Sequence, residues 1–153
     1  MKFQQKRIMS QVEEFLSKEE EQEIVQAIVT AEKNTSGEIR VHIEETSEKP
    51  PIERAKEVFS SLEMHKTEAR NGVLFYVGVA NKGFAILGDE GINNVIEADF
   101  WDCTKDIVLE HFKNKEFKKG LVEGVLRAGE KLKHYFPYQS DDTNELSNEI
   151  SKG

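Results

Sequence analysis

The strongest constraint on the fold is a run of apolar, mostly β-forming residues at positions 73–79, VLFYVGV. Asn71-Gly72 precedes this run, and the hairpin signal Asn81-Lys82-Gly83 follows it. A continuous apolar run bounded by turn residues is typical of a central strand that is covered on both faces. The sequence therefore predicts a small sheet with helices packed on both sides.

Hydrophobic periodicity predicts further elements around this strand. Residues 38–45 alternate between apolar and polar side chains, which predicts a half-buried strand that turns Arg40, His42 and Glu44 away from the core. Residues 84–87 form the returning strand of the hairpin. Helical spacing predicts four helices: residues 18–33 after a capping box at Ser17 and Glu20, residues 51–63 from Pro51, residues 101–112 and residues 117–132.

In chain order the predicted elements are α-β-α-β-β-α-α. The predicted fold class is α/β, a three-layer α/β/α sandwich around a small mixed sheet. A chain of 153 residues suits one domain with a tail. We predict an N-terminal arm or short helix at residues 1–16, the domain at residues 17–137, and a polar, acidic, mobile tail at residues 138–153. Gly120 and Gly124, one turn apart in the last helix, indicate close packing there.

Charge and composition narrow the classes of partner. The chain has 21 Lys and Arg against 29 Asp and Glu, and the net charge of -8 disfavours a nucleic-acid partner and favours cations. No apolar stretch approaches the roughly 20 residues of a membrane span, and no apolar run of a signal peptide follows the basic N-terminus. A single cysteine, Cys103, forms no internal disulfide. These features predict a cytoplasmic protein without a membrane span.

Topology brings polar residues from three loops together. Strand, helix and strand at residues 38–79 form a βαβ unit, so the first two strands are expected to be parallel. The hairpin makes the third strand antiparallel to the second. The starts of the first two strands and the end of the third then lie at one edge of the sheet, here termed the three-loop edge. Four polar residues are expected there: Glu38, Asn71, Asp89 and Glu90.

The residues of the three-loop edge are candidate metal ligands. Carboxylates and a carboxamide are hard oxygen donors, which suit Ca²⁺ or Mg²⁺. We predict that a cation is held by Glu38, Asn71, Asp89 and Glu90, with Asp99 as a further ligand that reaches this edge. The alternative is a metal-free edge in which Glu38 pairs with Arg70 and Asp89 caps the following helix.

His65, Lys66 and Arg70 are the candidate catalytic residues. They precede the central strand, where they would act as a general base or contact a phosphate group. The alternative is that they are plain residues of a surface loop. The sequence lacks GxGxxG, a P-loop, HExxH, CxxC pairs, a GxSxG elbow and EF-hand spacing, so no established motif of these classes supports catalysis.

Four segments of the chain resemble the TPM domain family. They are residues 35–39 (TSGEI), 64–67 (MHKT), 70–74 (RNGVL) and 84–92 (FAILGDEGI). The resemblance covers residues 15–137 and implies an α/β/α sandwich that binds divalent cations in the loops at one sheet edge. It also implies phosphatase activity, described for a plant member, or a role in membrane-complex assembly or receptor modulation, described for others.

One departure from the family pattern lies in the loop after the third strand. Where some members carry glycine-tyrosine-glycine, this chain has Gly88-Asp89-Glu90-Gly91. The added carboxylates favour metal binding and weaken the transfer of phosphatase activity. Many members also carry a signal peptide and a membrane anchor, and this sequence shows neither.

Three functional hypotheses follow from the sequence. The first is a small domain that binds Ca²⁺ or Mg²⁺ at the three-loop edge and serves as a regulatory or interaction module with a protein partner. The second is a metal-dependent phosphatase that acts on phosphomonoesters, in which His65, Lys66 and Arg70 hold or protonate the phosphate. The third is a metal-free structural interaction module.

Overall fold

The secondary-structure elements follow the predicted chain order, with a fourth strand added at the end. The computed structural model describes residues 15–138 and 145–153, so most of the predicted N-terminal arm lies outside the described residues. The elements are α1 (Lys18–Glu32), β1 (Glu38–Glu44), α2 (Pro51–Ser61), a 3₁₀ turn (Met64–Lys66), β2 (Gly72–Gly78), β3 (Gly83–Gly88), α3 (Glu90–Asn93), α4 (Ala98–Lys113), α5 (Phe117–Tyr135) and β4 (Ser151–Lys152).

The four strands form one mixed sheet in the order β3-β2-β1-β4. β1 and β2 are parallel, with Glu38 opposite Gly72 and Glu44 opposite Gly78. β3 returns antiparallel to β2, as the hairpin signal predicted, and Gly88 lies opposite Val73. The starts of β1 and β2 and the end of β3 therefore lie at the same edge of the sheet, which confirms the strand arrangement behind the predicted site.

Two apolar cores lie on opposite faces of the sheet. The larger core packs α1, α4 and α5 against a face that includes Ile39, Val41 and Phe75. The smaller core packs α2 against Leu74 and Tyr76 on the other face. This arrangement is the predicted three-layer α/β/α sandwich. No helix in residues 15–138 and 145–153 is long and apolar enough to cross a membrane.

Local signals at the helices agree with the sequence prediction. Ser17 caps α1: its side chain accepts the Glu20 amide, and the Glu20 side chain accepts the Ser17 amide. The close packing predicted at Gly120 and Gly124 is confirmed. A Cβ atom at Gly124 would lie 2.8 Å from Val108 Cγ2, so only glycine allows α4 and β2 to approach α5 this closely.

The prediction that β1 is half-buried is wrong. His42 and Glu44, on the polar face of this strand, are only 5% and 4% exposed. α2 and β4 cover that face, and the polar atoms are satisfied by other side chains: Arg54 and Tyr76 contact Glu44, and Ser151 contacts His42. Alternation identified the two faces of β1 correctly but could not show that charged partners would bury the second face.

The predicted tail differs from the expectation of a mobile segment. Residues 145–153 lie along β1, and Ser151 and Lys152 pair with His42 and Ile43 in parallel. A two-residue strand in a polar segment has no periodicity, so no sequence pattern predicts it. Residues 139–144 lie outside the described residues.

Candidate functional site

Main-chain hydrogen bonds join the three loops at the three-loop edge. The Glu38 amide donates to the Asn71 carbonyl at 3.2 Å, and the Asp89 amide donates to the Gly72 carbonyl at 2.9 Å. The Gly91 amide donates to the Arg70 carbonyl at 2.9 Å. The structure therefore brings the predicted loops together through their backbones.

Gly91 makes this approach sterically feasible. A Cβ atom at Gly91 would lie 2.3 Å from the Ala69 carbonyl oxygen and 2.5 Å from that of Arg70. Both obstacles are backbone atoms, which cannot rotate away as a side chain can. Arg70 itself has a left-handed backbone, with φ of 52°. The approach of the third loop to the second therefore depends on a glycine at position 91.

Arg70 holds the carboxylates of the third loop. Its Nε and Nη2 atoms donate to the two oxygens of Asp89 at 2.8 and 2.9 Å, and Nη1 donates to Glu90 Oε1 at 3.1 Å. The Asp89 hydrogen bonds raise the pKa of Arg70 above its ordinary value. Asp89 also caps α3 through the Glu90 amide, at 2.8 Å, as the metal-free alternative predicted. That alternative paired Arg70 with Glu38, whereas its partners are Asp89 and Glu90.

Glu38 is buried, with 3% of its surface exposed, and it holds the end segment of the chain. Its Oε2 accepts the Glu145 amide at 3.1 Å, and its Oε1 accepts the Leu146 amide at 3.0 Å. Glu145 returns a contact, because its Oε2 accepts the Glu68 amide at 3.3 Å. The carboxylate at the start of β1 thus connects the three-loop edge to residues 145–153.

Asn71 is 1% exposed, and one of its polar atoms lacks a partner among the described residues. Its Nδ2 donates to Ser36 Oγ at 3.3 Å, and its amide donates to Thr67 Oγ1 at 3.2 Å. Its Oδ1 is buried and has no hydrogen-bond partner in the part of the chain that the structure describes. A buried acceptor without a partner is uncommon in folded proteins, and a bound ion is one of its explanations.

Glu32 is a further acidic group of this region that the sequence analysis missed. Its Oε2 accepts the Ile39 amide at 2.7 Å. Burial raises the pKa of Glu32 to about 8; the Ile39 hydrogen bond opposes this rise, and the negative charge of Glu38 adds to it. The only sequence signal was its place in the last turn of α1, just before the first loop.

The remaining predicted site residues lie apart from these contacts. His65 and Lys66 are exposed in the 3₁₀ turn, and Lys66 pairs with Glu63 at 2.9 Å. Asp99 is exposed in the first turn of α4. Among the contacts of the described residues, none joins these three side chains to Arg70, Asp89 or Glu38.

A second polar network, here termed the Glu44 cluster, comprises His42, Glu44, Arg54 and Tyr76. Arg54 donates to both oxygens of Glu44 at 2.8 and 2.9 Å, and the Tyr76 hydroxyl donates to Glu44 at 2.5 Å. His42 Nε2 lies 3.0 Å from Glu44 Oε1, and its Nδ1 lies 3.0 Å from Ser151 Oγ. The sequence analysis had treated Arg40, His42 and Glu44 only as a polar face.

The charges of this cluster are strongly coupled. Burial acts to raise the pKa of Glu44, but the hydrogen bonds from Arg54, Tyr76 and His42 outweigh it and lower the pKa to about 2. Burial lowers the pKa of His42, so the imidazole is favoured in its neutral form. Glu44 is therefore an ionised, fully partnered carboxylate that holds α2 against the sheet.

The donor atoms at the three-loop edge fit a divalent cation in chemical type, and most of them are engaged in other contacts. The amides of residues 145 and 146 donate to Glu38. The set is all oxygen, from carboxylates and the unpartnered Asn71 Oδ1, as Ca²⁺ and Mg²⁺ require. Arg70 occupies Asp89 and Glu90 in this arrangement. Within residues 15–138 and 145–153, no group of three or more His, Cys, Asp or Glu side chains has the geometry to hold a metal ion.

Comparison with known sequences decides the family. A model of the TPM domain matches residues 9–131, which is most of the chain. The chain belongs to the TPM domain family. A search of curated proteins found no match.

Solved structures share the fold of this TPM domain. The NMR structure of BA42 from the psychrophilic bacterium Bizionia argentinensis is 55% identical in sequence, with a TM-score of 0.87 over 95% of this chain and 100% of that one. The N-terminal domain of cg2496 from Corynebacterium glutamicum is 10% identical, with a TM-score of 0.61 over 76% and 74% of the two chains. An N-terminal domain from P. gingivalis is 17% identical, with a TM-score of 0.66 over 80% and 79%. The latter two show similarity of fold alone.

Proposed function

We propose that this TPM domain binds a divalent cation, Ca²⁺ or Mg²⁺, at the three-loop edge and serves as a regulatory or interaction module. The proposed ligands are Glu38, Asn71, Asp89 and Glu90. The observation that carries the proposal is Asn71 Oδ1, a buried oxygen without a partner among the described residues, in the loop bonded to both carboxylate-bearing loops. A cation would supply the partner that this oxygen lacks.

Arg70 is the counterion that the cation would replace. It neutralises Asp89 and Glu90, and its side chain is 41% exposed, so it can leave the site for solvent without a large desolvation cost. A divalent ion brings twice the charge of Arg70 and prefers carboxylate oxygens. Arg70 and the cation therefore compete for the same two side chains. Asp99 joins the ligands only if the first turn of α4 moves toward this edge.

Replacement of Arg70 tests this competition. Arg70→Gln removes the charge but keeps a side chain of similar reach, so we expect the Kd for Ca²⁺ or Mg²⁺ to fall about tenfold, or about 1.4 kcal/mol. Isothermal titration calorimetry of chelator-treated protein measures the change. Lys66→Gln is the matched control, because it removes the same charge from a nearby exposed position and should leave the Kd unchanged.

The result also separates the remaining hypotheses. If the wild type and Arg70→Gln both lack saturable binding at millimolar cation, the proposal fails and Arg70 is the permanent partner of Asp89 in a metal-free interaction module. If Arg70→Gln weakens binding, Arg70 supports the ion rather than competes with it, and the proposed site is wrong. The phosphatase hypothesis rests on family resemblance alone, since His65 and Lys66 are exposed and have no contact with this cluster among the described residues.

A further inference from the structure

We propose that the outer edge of β1 is a strand-addition groove for an extended peptide, and that residues 145–153 occupy this groove as an internal ligand. The inference does not require that a cation binds, although the two proposed sites share Glu38. β1 has seven residues, but among the residues that the structure describes its outer edge pairs with only two, Ser151 and Lys152. An edge strand that lacks such a cover offers unpaired amides and carbonyls to any extended chain.

The internal ligand shows what the groove recognises. At one end, Glu38 accepts the amides of residues 145 and 146, which is a contact to backbone and needs no particular side chain. Leu146 packs against the smaller core on the α2 face, whereas Ile150 packs against the larger core on the opposite face. The ligand therefore wraps the sheet edge and anchors one apolar side chain on each side.

The other end of the groove selects small residues. Ser151 Oγ lies 3.0 Å from His42 Nδ1, and the Gly153 amide donates to the Ile43 carbonyl at 3.1 Å. A Cβ atom at Gly153 would lie 3.0 Å from both Glu44 Oε1 and His42 Cε1. These atoms are held by the Glu44 cluster and cannot give way freely. A ligand with glycine at this position is therefore favoured over one with a larger residue.

Arg40 indicates an acidic preference within the groove. It lies on β1 between Glu38 and His42, and its Nε is buried without a hydrogen-bond partner in the residues that the structure describes. The parallel register pairs His42 with Ser151, and if it is continued back by two residues it would place Arg40 opposite Glu149. A ligand with a carboxylate or amide oxygen that reaches Arg40 Nε would satisfy a donor that the internal segment leaves unpaired.

The occupant is therefore an extended peptide of defined pattern. An apolar residue is followed by three polar residues, one of them acidic, and then by a second apolar residue. A residue with a hydroxyl group, a basic residue and a glycine complete the pattern. Residues 145–153 carry this pattern and are tethered, which gives them an effective concentration on the order of millimolar. A free peptide must compete with this tether. Binding in trans is expected to be weak in the intact protein and stronger when the internal segment is loosened.

The test uses the full chain and an acetylated peptide with the sequence of residues 145–153. The double variant Leu146→Ala/Ile150→Ala removes both apolar anchors of the internal segment. The control is Ser147→Ala, which removes an exposed side chain and its hydrogen bond from the Glu149 amide but leaves both anchors in place. In ¹⁵N-detected NMR titrations we expect the peptide to shift β1 amides in the double variant with a Kd at least tenfold lower than in the wild type or Ser147→Ala. A peptide with valine in place of Gly153 should bind more weakly than the peptide with glycine.

Three results would overturn the inference. The first is that the peptide binds the double variant and the wild type with equal affinity. The second is that the peptide shifts no β1 amides in a double variant whose far-UV spectrum and melting remain native-like. The third is that the valine peptide binds as tightly as the glycine peptide. If the double variant does not fold, hydrogen exchange of the wild type decides the question. Amides of residues 150–153 that exchange faster than those of β2 support a replaceable strand, whereas equal exchange through global unfolding contradicts it.

Discussion

Glu44 shows how a single carboxylate can be buried at the end of a strand. Its side chain is 6% exposed, and Arg54, Tyr76 and His42 together satisfy both oxygens. Its pKa of about 2 lies below the ordinary value of 4.5, so the folded state favours the ionised form. The stabilisation, on the order of 3 kcal/mol, is complete above pH 4.5 and is lost as the pH falls toward 2.

We therefore expect Glu44→Gln to lower the free energy of unfolding by about 2–4 kcal/mol at pH 7, because Arg54 loses a buried partner. The difference in the free energy of unfolding between the variant and the wild type should shrink at pH 3, where the wild-type carboxylate loses part of its stabilising effect. Urea denaturation at both pH values measures this. Glu57→Gln removes an exposed partner of the same Arg54 and should cost much less than Glu44→Gln. Equal losses in the two variants, or a pH-independent loss, would contradict the account.

At the scale of single residues, the sequence predicted which residues lie at the three-loop edge, but it did not predict which of them form ion pairs. The positions of Glu38, Asn71 and Asp89 at one edge followed from parallel strands and a hairpin, which short-range signals determine. Arg70 has a left-handed backbone and pairs with Asp89, not with Glu38, and no sequence pattern predicts either feature. The burial of Glu44 depends on Arg54, ten residues away on another element.

The crossing of α1 and α5 depends on Gly129. A Cβ atom there would lie 2.5 Å from Ala31 Cβ and 2.8 Å from Ala31 Cα. Alanine favours a helix over glycine by about 1 kcal/mol, but this contact requires the two helices to move apart. Overpacking of this kind costs about 1–3 kcal/mol, so the steric effect outweighs the propensity.

We expect Gly129→Ala to lower the melting temperature, as measured by circular dichroism. Adding Ala31→Gly should restore part of the loss, since it removes the atom that the new methyl group meets. Glu130→Ala, at a side chain that is 77% exposed, controls for helix propensity and should be near neutral. A melting temperature that rises in Gly129→Ala would show that the crossing is loose.

Elements with strong periodicity were predicted closely, and elements held by tertiary contacts were not. The predicted helix at residues 18–33 is observed as Lys18–Glu32, because its capping box and apolar face are local features. β4 is two residues long and exists through its pairing with β1 and its contacts to Glu38 and His42. Local propensity contains no information about such a strand.

Across the whole molecule, residues 145–153 connect the two polar sites. They begin at Glu38 on the three-loop edge and end beside His42 in the Glu44 cluster, at the other end of β1. Glu38 is thus shared between the proposed cation site and the proposed groove. A cation that takes the Glu38 carboxylate would withdraw acceptors from the amides of residues 145 and 146, which gives the module a physical route from ion to peptide binding.

The central claim is that a divalent cation binds at the three-loop edge. The most direct test is an amide NMR titration of chelator-treated full-length protein with Ca²⁺ and then Mg²⁺. We expect saturable shifts that cluster at Glu38, Asn71 and residues 88–91, with further shifts at residues 145–146. Non-saturable shifts scattered over exposed acidic residues such as Asp102, Asp106 and Glu110, or no shifts at all, would contradict the claim.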